Sequence, residues 1–135
     1  MKKTILFLLV ALSLLCLTSC QKAETDITDK ATETVYMNIT ADEAKRIMDT
    51  QEGYIILDVR TQEEFDEKHI PGAVLIPDYE ITNKAEEILN DKKQLILVYC
   101  RSGRRSKLAA EALVELGYTN IKEFGGIIDW PYETE

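Results

Sequence analysis

The chain has 135 residues, with 16 basic against 24 acidic side chains, one histidine and three cysteines. A net charge of −8 argues against nucleic-acid binding. One histidine and so few cysteines cannot supply a zinc cluster. No Walker-type or dinucleotide-type glycine motif is present, so no cofactor is expected.

The N-terminus opens with Met1-Lys2-Lys3, then an apolar run from Ile5 to Leu17 broken only by Ser13. That run is short for a membrane span and suits a secretory signal. It ends in Leu17-Thr18-Ser19-Cys20, which resembles the lipobox of bacterial lipoproteins. The resemblance implies cleavage of residues 1–19, a lipid on Cys20 and an extracytoplasmic, membrane-anchored protein. Cys16 would leave with the signal, and Cys100 would be the free thiol of the mature chain. No internal disulfide could then form, so a sulfur-loaded or oxidised Cys100 would need an external thiol or nucleophile to resolve it. Residues 20–34 are polar and aperiodic, and read as a tether. Residues 35–135 are long enough for one domain with one core, and an acidic surface is compatible with a monomer.

Within that domain, strand and helix signals alternate. Val35 to Ile39 is a short strand candidate, and Thr40-Ala41-Asp42-Glu43 is a capping-box pattern opening a helix to about Met48. Tyr54 to Val59 reads as a buried strand. Thr61-Gln62-Glu63-Glu64 opens a second capped helix with Phe65 on its apolar side. Ala73 to Ile76 is a strand stopped by Pro77. Residues 82–90 form a short helix with Ile81, Ala85, Ile88 and Leu89 as its apolar positions. Residues 94–99 are an apolar strand, Lys107 to Leu116 a helix ended by Gly117, and Ile121 to Phe124 a last strand. Ile-, Leu- and Val-rich strands alternating with helices predict an α/β domain with a mainly parallel sheet.

The chemistry concentrates between the fourth strand and the helix after it, in Cys100-Arg101-Ser102-Gly103-Arg104-Arg105-Ser106. A cysteine at the carboxyl end of a buried strand, before a short Gly- and Arg-containing turn and a helix, is placed to be a thiolate. Residues 101–107 carry four cations and no acid inside an acidic chain. Such an island suits a small anionic ligand. Cations at a helix N-terminus also oppose its dipole, so something must compensate them.

Three segments together resemble the rhodanese homology domain, in particular its small single-domain lipoprotein forms. They are Leu57-Asp58-Val59-Arg60 with Glu64-Phe65, His69-Ile70-Pro71-Gly72-Ala73 and Ile76-Pro77; the loop Cys100 to Arg105; and Gly125-Gly126-Ile127-Ile128-Asp129-Trp130. The resemblance covers about residues 35–132. It implies a parallel five-stranded sheet flanked by helices, and sulfur transfer through a persulfide on Cys100. It also implies a binding loop made by Arg101, Ser102, Gly103, Arg104 and Arg105, whose amides face a common centre. The partners expected are a small anionic sulfur donor such as thiosulfate and a thiol or cyanide acceptor. Among the arginines, Arg105 is expected to face the ligand, Arg101 to select substrate charge from the solvent side, and Arg104 to serve either way. Asp58, Arg60, His69, Gly125, Gly126 and Trp130 are read as structural: pairing partners, a turn residue, a tight turn and its packing anchor.

Alternatives remain at this point. Certain phosphatases share the scaffold, but their loops place the arginine after five residues. Here that position is Ser106, and Arg105 follows Cys100 after four. The smaller ring suits sulfur better than phosphate. A persulfide carrier or docking module serving one protein partner is the other reading.

Overall fold

The computed structural model describes residues 36–135. The expected signal, the lipid-bearing Cys20 and the tether lie outside the described residues. Five parallel strands form one sheet: β1 (Met37–Asn38), β2 (Tyr54–Asp58), β3 (Val74–Leu75), β4 (Leu95–Cys100) and β5 (Ile121–Gly126), in the order β1-β5-β4-β2-β3. The connecting helices are α1 (Ala41–Thr50), α2 (Gln62–Glu67), α3 (Ile81–Ile88) and α4 (Arg104–Glu115). Among the described residues, no helix is long and apolar enough to cross a membrane.

Both predicted capping boxes form. Thr40 Oγ1 accepts from Glu43 N at 3.1 Å while Glu43 Oε2 accepts from Thr40 N at 2.8 Å. Thr61 and Glu64 repeat the arrangement at the start of α2. Each box satisfies two amides that a helix start leaves without partners.

The strand alternation divides the core in two. Leu57, Ile96 and Val98 point to one face and pack with α3 and α4, through Ala85, Ala110 and Leu113. Ile56, Leu97 and Tyr99 point to the other face, where they meet Ala44 and Ile47 of α1 and the C-terminal aromatics. Full burial of each large aliphatic side chain contributes about 2 kcal/mol, so both faces are needed to stabilise the sheet.

Several boundaries differ from those expected. The edge strands β1 and β3 are two residues each, shorter than the sequence predicts, because each pairs along one side only. The 3₁₀ turn Asp78–Glu80 leads directly into α3, which therefore starts at Ile81 and stops at Ile88. Ile88, an expected core position, is 40% exposed, whereas Ile81, Ala85 and Leu89 are buried. α4 begins at Arg104 rather than Lys107, so two arginines of the loop belong to its first turn. β5 runs on to Gly126 and leads into a 3₁₀ turn, Ile127–Asp129.

Candidate active site

The carboxyl ends of β2, β4 and β5 meet on one rim, and Cys100 is the last residue of β4. A register shift between Val98 and Cys100 brings Cys100 opposite Gly126. The chain then turns through Arg101 and Ser102 to Gly103, whose φ of +96° lies in the left-handed region. Gly103 N donates to Cys100 Sγ at 3.1 Å, and the left-handed turn at Gly103 leads straight into α4. A side chain at this φ would cost about 1–2 kcal/mol, which explains the glycine.

Gly126 is required for a different reason. A Cβ there would sit 2.1 Å from Arg101 O and 2.5 Å from Ser102 Cα. The backbone of β5 thus presses directly on the back of the cysteine loop, and Ile128 N donates to Arg101 O at 3.2 Å.

Cys100 is only 1% exposed. Burial pushes its thiol pKa up, but the Ser106 hydroxyl and the amides of Ser106, Gly103 and Ser102 together hold it below the ordinary thiol value. The expectation of loop amides and a helix start around the sulfur is met, and the arginines are not among the leading groups. The leading groups are the Ser106 hydroxyl and peptide dipoles at the start of α4. Ser106, fully buried, was noted in the sequence only for its place in the ring.

The arginines separate into two kinds. Arg105, the expected ligand-facing residue, donates from Nη1 and Nη2 to the two oxygens of Glu64 at 2.7 and 2.8 Å. The Arg105 hydrogen bonds hold the Glu64 carboxyl at about 2, against burial, with help from the Thr61 amide. Glu64 thereby caps α2 and offsets one cation at the start of α4. Arg101 and Arg104 are exposed. Arg101 lines a cleft of about 230 Å³ with Arg60, Glu64, Glu67, Lys68, Ile127 and Ile128.

Asp58 and Arg60 pair with each other. Arg60 Nη2 donates to Asp58 Oδ2 at 2.6 Å and to Lys68 O at 2.7 Å, with both residues buried. The guanidinium also lies over the Tyr99 ring, 5.6 Å from its centroid. His69 stacks on Phe65 at 3.8 Å between ring centroids, and its Nδ1 donates to Phe65 O at 2.9 Å. Its backbone exchanges two hydrogen bonds with Glu135. Trp130 is buried against Phe124, and its indole N–H donates to Glu133 O at 3.2 Å. Gly125 has a φ of +89° and donates its amide to Glu123 Oε1 at 2.8 Å. Among the described residues, no cluster of His, Cys, Asp and Glu could hold a metal ion.

Glu123 escaped the sequence reading. It is 2% exposed and also accepts from Ser106 Oγ at 2.6 Å. Its signal was phase: Ile121 and Glu123 share one face of β5, and Ile121 is core.

A cysteine at the end of a parallel strand, with amides at the start of the next helix around it, defines a class of α/β domain with a thiolate loop. The chain belongs to the rhodanese-like domain family, whose pattern matches residues 40–131. It is 38% identical over 73 residues to "Thiosulfate sulfurtransferase PspE" of Escherichia coli, covering 54% of this chain and 70% of that one. It is 39% identical over 98 residues to "Putative sulfur carrier protein YrkF" of Bacillus subtilis, covering 72% of this chain but 52% of the relative. Among solved structures, the E. coli "rhodanese with anions" superposes with a TM-score of 0.57 at 34% identity, covering 61% of this chain and 96% of that one. A rhodanese-related protein from Thermoplasma volcanium superposes at 0.65 with 30% identity, covering 74% and 98%.

Proposed function

We propose that this protein is a sulfurtransferase that takes sulfane sulfur from a small anionic donor, such as thiosulfate, onto Cys100. The observation that carries the reading is the Gly103 amide directed at Cys100 Sγ from the start of α4, beside a thiol held below its ordinary pKa. The Cys100 thiolate attacks the outer sulfur of the donor. A Sγ–S bond forms, the donor's S–S bond breaks and sulfite leaves with its electron pair. A thiolate or cyanide then attacks the outer sulfur, the Sγ–S bond breaks and the Cys100 thiolate returns. The same amides stabilise the negative charge in the thiolate and in the persulfide.

Exposed Arg101 and Arg104 supply the positive field that attracts the donor. Arg105 acts one step back, fixing the start of α4 through Glu64. A phosphatase reading is disfavoured further, because the guanidinium that would hold a phosphoryl group is engaged by Glu64.

The carrier reading keeps two supports. Cys100 is almost wholly buried, so transfer to a particular partner that opens the loop fits as well as free turnover. A relative named as a putative sulfur carrier points the same way. The Leu17–Cys20 pattern supports placing the protein outside the cytoplasm, anchored through a lipid on Cys20. Mass spectrometry of the N-terminal peptide tests that placement; an unmodified Cys20 overturns it.

The decisive experiment incubates the full chain with thiosulfate, then cyanide, beside Cys100→Ser. Gain of one sulfur on the Cys100 peptide with thiocyanate release, both lost in the variant, is the expected result. A stable persulfide without turnover selects the carrier. No sulfur gain by folded, reduced protein overturns both readings.

A further inference from the structure

Among the described residues, six large apolar side chains are exposed, and three of them stand on the rim that carries Cys100. These are Tyr79, Leu108 and Ile128, between 51% and 68% exposed. Ile128 lies in the 3₁₀ turn after β5, and its amide donates to Arg101 O at 3.2 Å. Leu108 is one turn into α4, on the face that begins with Arg104. Tyr79 lies in the 3₁₀ turn after β3. That turn packs against α4, and the Asp78 amide donates to Val59 O at 3.0 Å, just past the end of β2. The other three, Met37, Val74 and Ile88, belong to the edge strands and to the end of α3.

The same rim carries charge without a counter-charge. Arg101, Arg104 and Lys107 are exposed, and among the described residues none of them forms an ion pair. Arg105 differs, since it finds a carboxylate at Glu64. The unpaired cations oppose the dipole at the start of α4. They also stand against the sign of the molecule, whose net charge is −8. A donor the size of thiosulfate can offset that charge, but it cannot cover apolar side chains spread over three elements. A single exposed apolar residue needs no explanation. Three beside one nucleophile, with unpaired cations among them, have the composition of an interface: an apolar centre and a charged rim.

We propose that Tyr79, Leu108 and Ile128, with Arg101, Arg104 and Lys107, form a docking face for a protein sulfur acceptor that presents a cysteine thiol flanked by acidic and apolar side chains. The inference rests on the sulfurtransferase reading for the reaction that docking serves. The acceptor thiol gives its proton to solvent, and its thiolate attacks the outer sulfur of the Cys100 persulfide. The new S–S bond forms, the Sγ–S bond breaks, Cys100 keeps the electron pair as a thiolate and the partner leaves as a persulfide. The partner's carboxylates pair with the cations, and its apolar side chains cover the exposed ones. Nucleic acid would satisfy the cations but leave Leu108 and Ile128 against water, and the acidic remainder of the chain repels it. An anionic lipid surface would meet both features but offers no thiol to the sulfur it covers.

The test uses the full chain and a pooled library of short synthetic peptides, each with one cysteine between randomised flanks. Cys100 is loaded from thiosulfate, the excess is removed, and the peptides that gain sulfur are identified by mass spectrometry. The same pool treated with inorganic polysulfide corrects for each thiol's own reactivity. Peptides with acidic residues beside leucine, isoleucine or phenylalanine are expected to be enriched about fivefold or more over those with basic flanks. Acidic flanks raise a thiol pKa and leave less thiolate at neutral pH, so such enrichment reports docking. Leu108→Gln and Tyr79→Gln are expected to lose the apolar part of the preference while loading from thiosulfate at the wild-type rate. A flat flank profile, or one unchanged in both variants, overturns the proposal.

If thiosulfate does not load Cys100, binding carries the test. A fluorescent peptide with serine in place of cysteine and alternating glutamate and leucine flanks is titrated with the unloaded chain. Binding that Leu108→Gln weakens, and that the lysine-flanked peptide lacks, retains the docking face and rejects the sulfurtransferase reading. Loading with a flat profile and no binding does the reverse. Leu108-dependent binding to phosphatidylglycerol vesicles or to single-stranded RNA, with a flat peptide profile, gives the face to a membrane or a nucleic acid and overturns the proposal.

Discussion

Arg105 and Glu64 meet fork to fork, at 2.7 and 2.8 Å, across the space between the first turn of α4 and the first turn of α2. The pair fastens the helix that carries the amide cradle to the neighbouring segment of the rim. Its geometry is bidentate and its side chains are 19% and 23% exposed, so it is stronger than an ordinary surface pair.

A pH dependence follows from that pair. The Glu64 pKa is about 2 in the folded protein against 4.5 ordinarily. A depressed carboxyl stabilises the fold fully above 4.5, and the contribution is lost as pH falls from there toward about 2. After discounting for solvent screening, the amount is about 1–2 kcal/mol. Glu64→Gln should flatten this acid limb in urea unfolding across pH 2–5. An unchanged limb would show that other carboxyls carry it.

The close approach at Gly126 predicts a severe local effect. Gly126→Ala puts a methyl into Arg101 O, where backbone and not a flexible side chain must move. A loss of about 3 kcal/mol or more is expected in chemical denaturation, with sulfur loading of Cys100 abolished. Near-wild-type stability with full loading would mean that β5 and the loop separate easily.

Gly103 is predicted to tune the thiol. Gly103→Ala strains a residue at φ +96° by about 1–2 kcal/mol. Relief of that strain shifts the loop that carries the amide donating to Sγ. The Cys100 pKa should then rise toward the ordinary thiol value, seen as an alkylation profile displaced to higher pH. An unshifted profile would transfer the effect to the Ser106 hydroxyl and the remaining amides.

The Asp58–Arg60 pair supports the rim without touching the sulfur. Asp58→Asn leaves a buried guanidinium without its carboxylate, for which a cost of about 3–5 kcal/mol is expected. Where the protein still folds, the Cys100 titration should stay in place. A moved titration would give Asp58 a part in the site's electrostatics.

The central strands, both capping boxes and the cysteine loop were legible because each has a local cause: an apolar run, a Thr-x-x-Glu pattern, or a turn between strand and helix. The edge strands were legible in place but not in length: β1 and β3 fall inside Val35–Ile39 and Ala73–Ile76 and keep two residues each. Met37 is 59% exposed and Val74 37%, so little burial extends the pairing beyond two residues. The start of α4 was read three residues late because Arg104 and Arg105 oppose a helix dipole, and what compensates Arg105 lies 41 positions away in sequence, at Glu64. Glu123 was missed for a similar reason. Its phase with Ile121 places it on the core face, but the donors that let a carboxyl stay there, Ser106 and Gly125, are brought beside it only by the fold.

The groups that hold the Cys100 thiol below its ordinary pKa are peptide N–H dipoles and a hydroxyl, which dissolved ions in the bulk cannot replace. Arg101 and Arg104, by contrast, stand in water and are screened over about 8–10 Å at ordinary ionic strength. Salt should therefore weaken capture of an anionic donor while leaving the intrinsic reactivity of the sulfur almost unchanged. The molecule responds to the ionic composition of its surroundings in how often it is loaded, and much less in what it does once loaded.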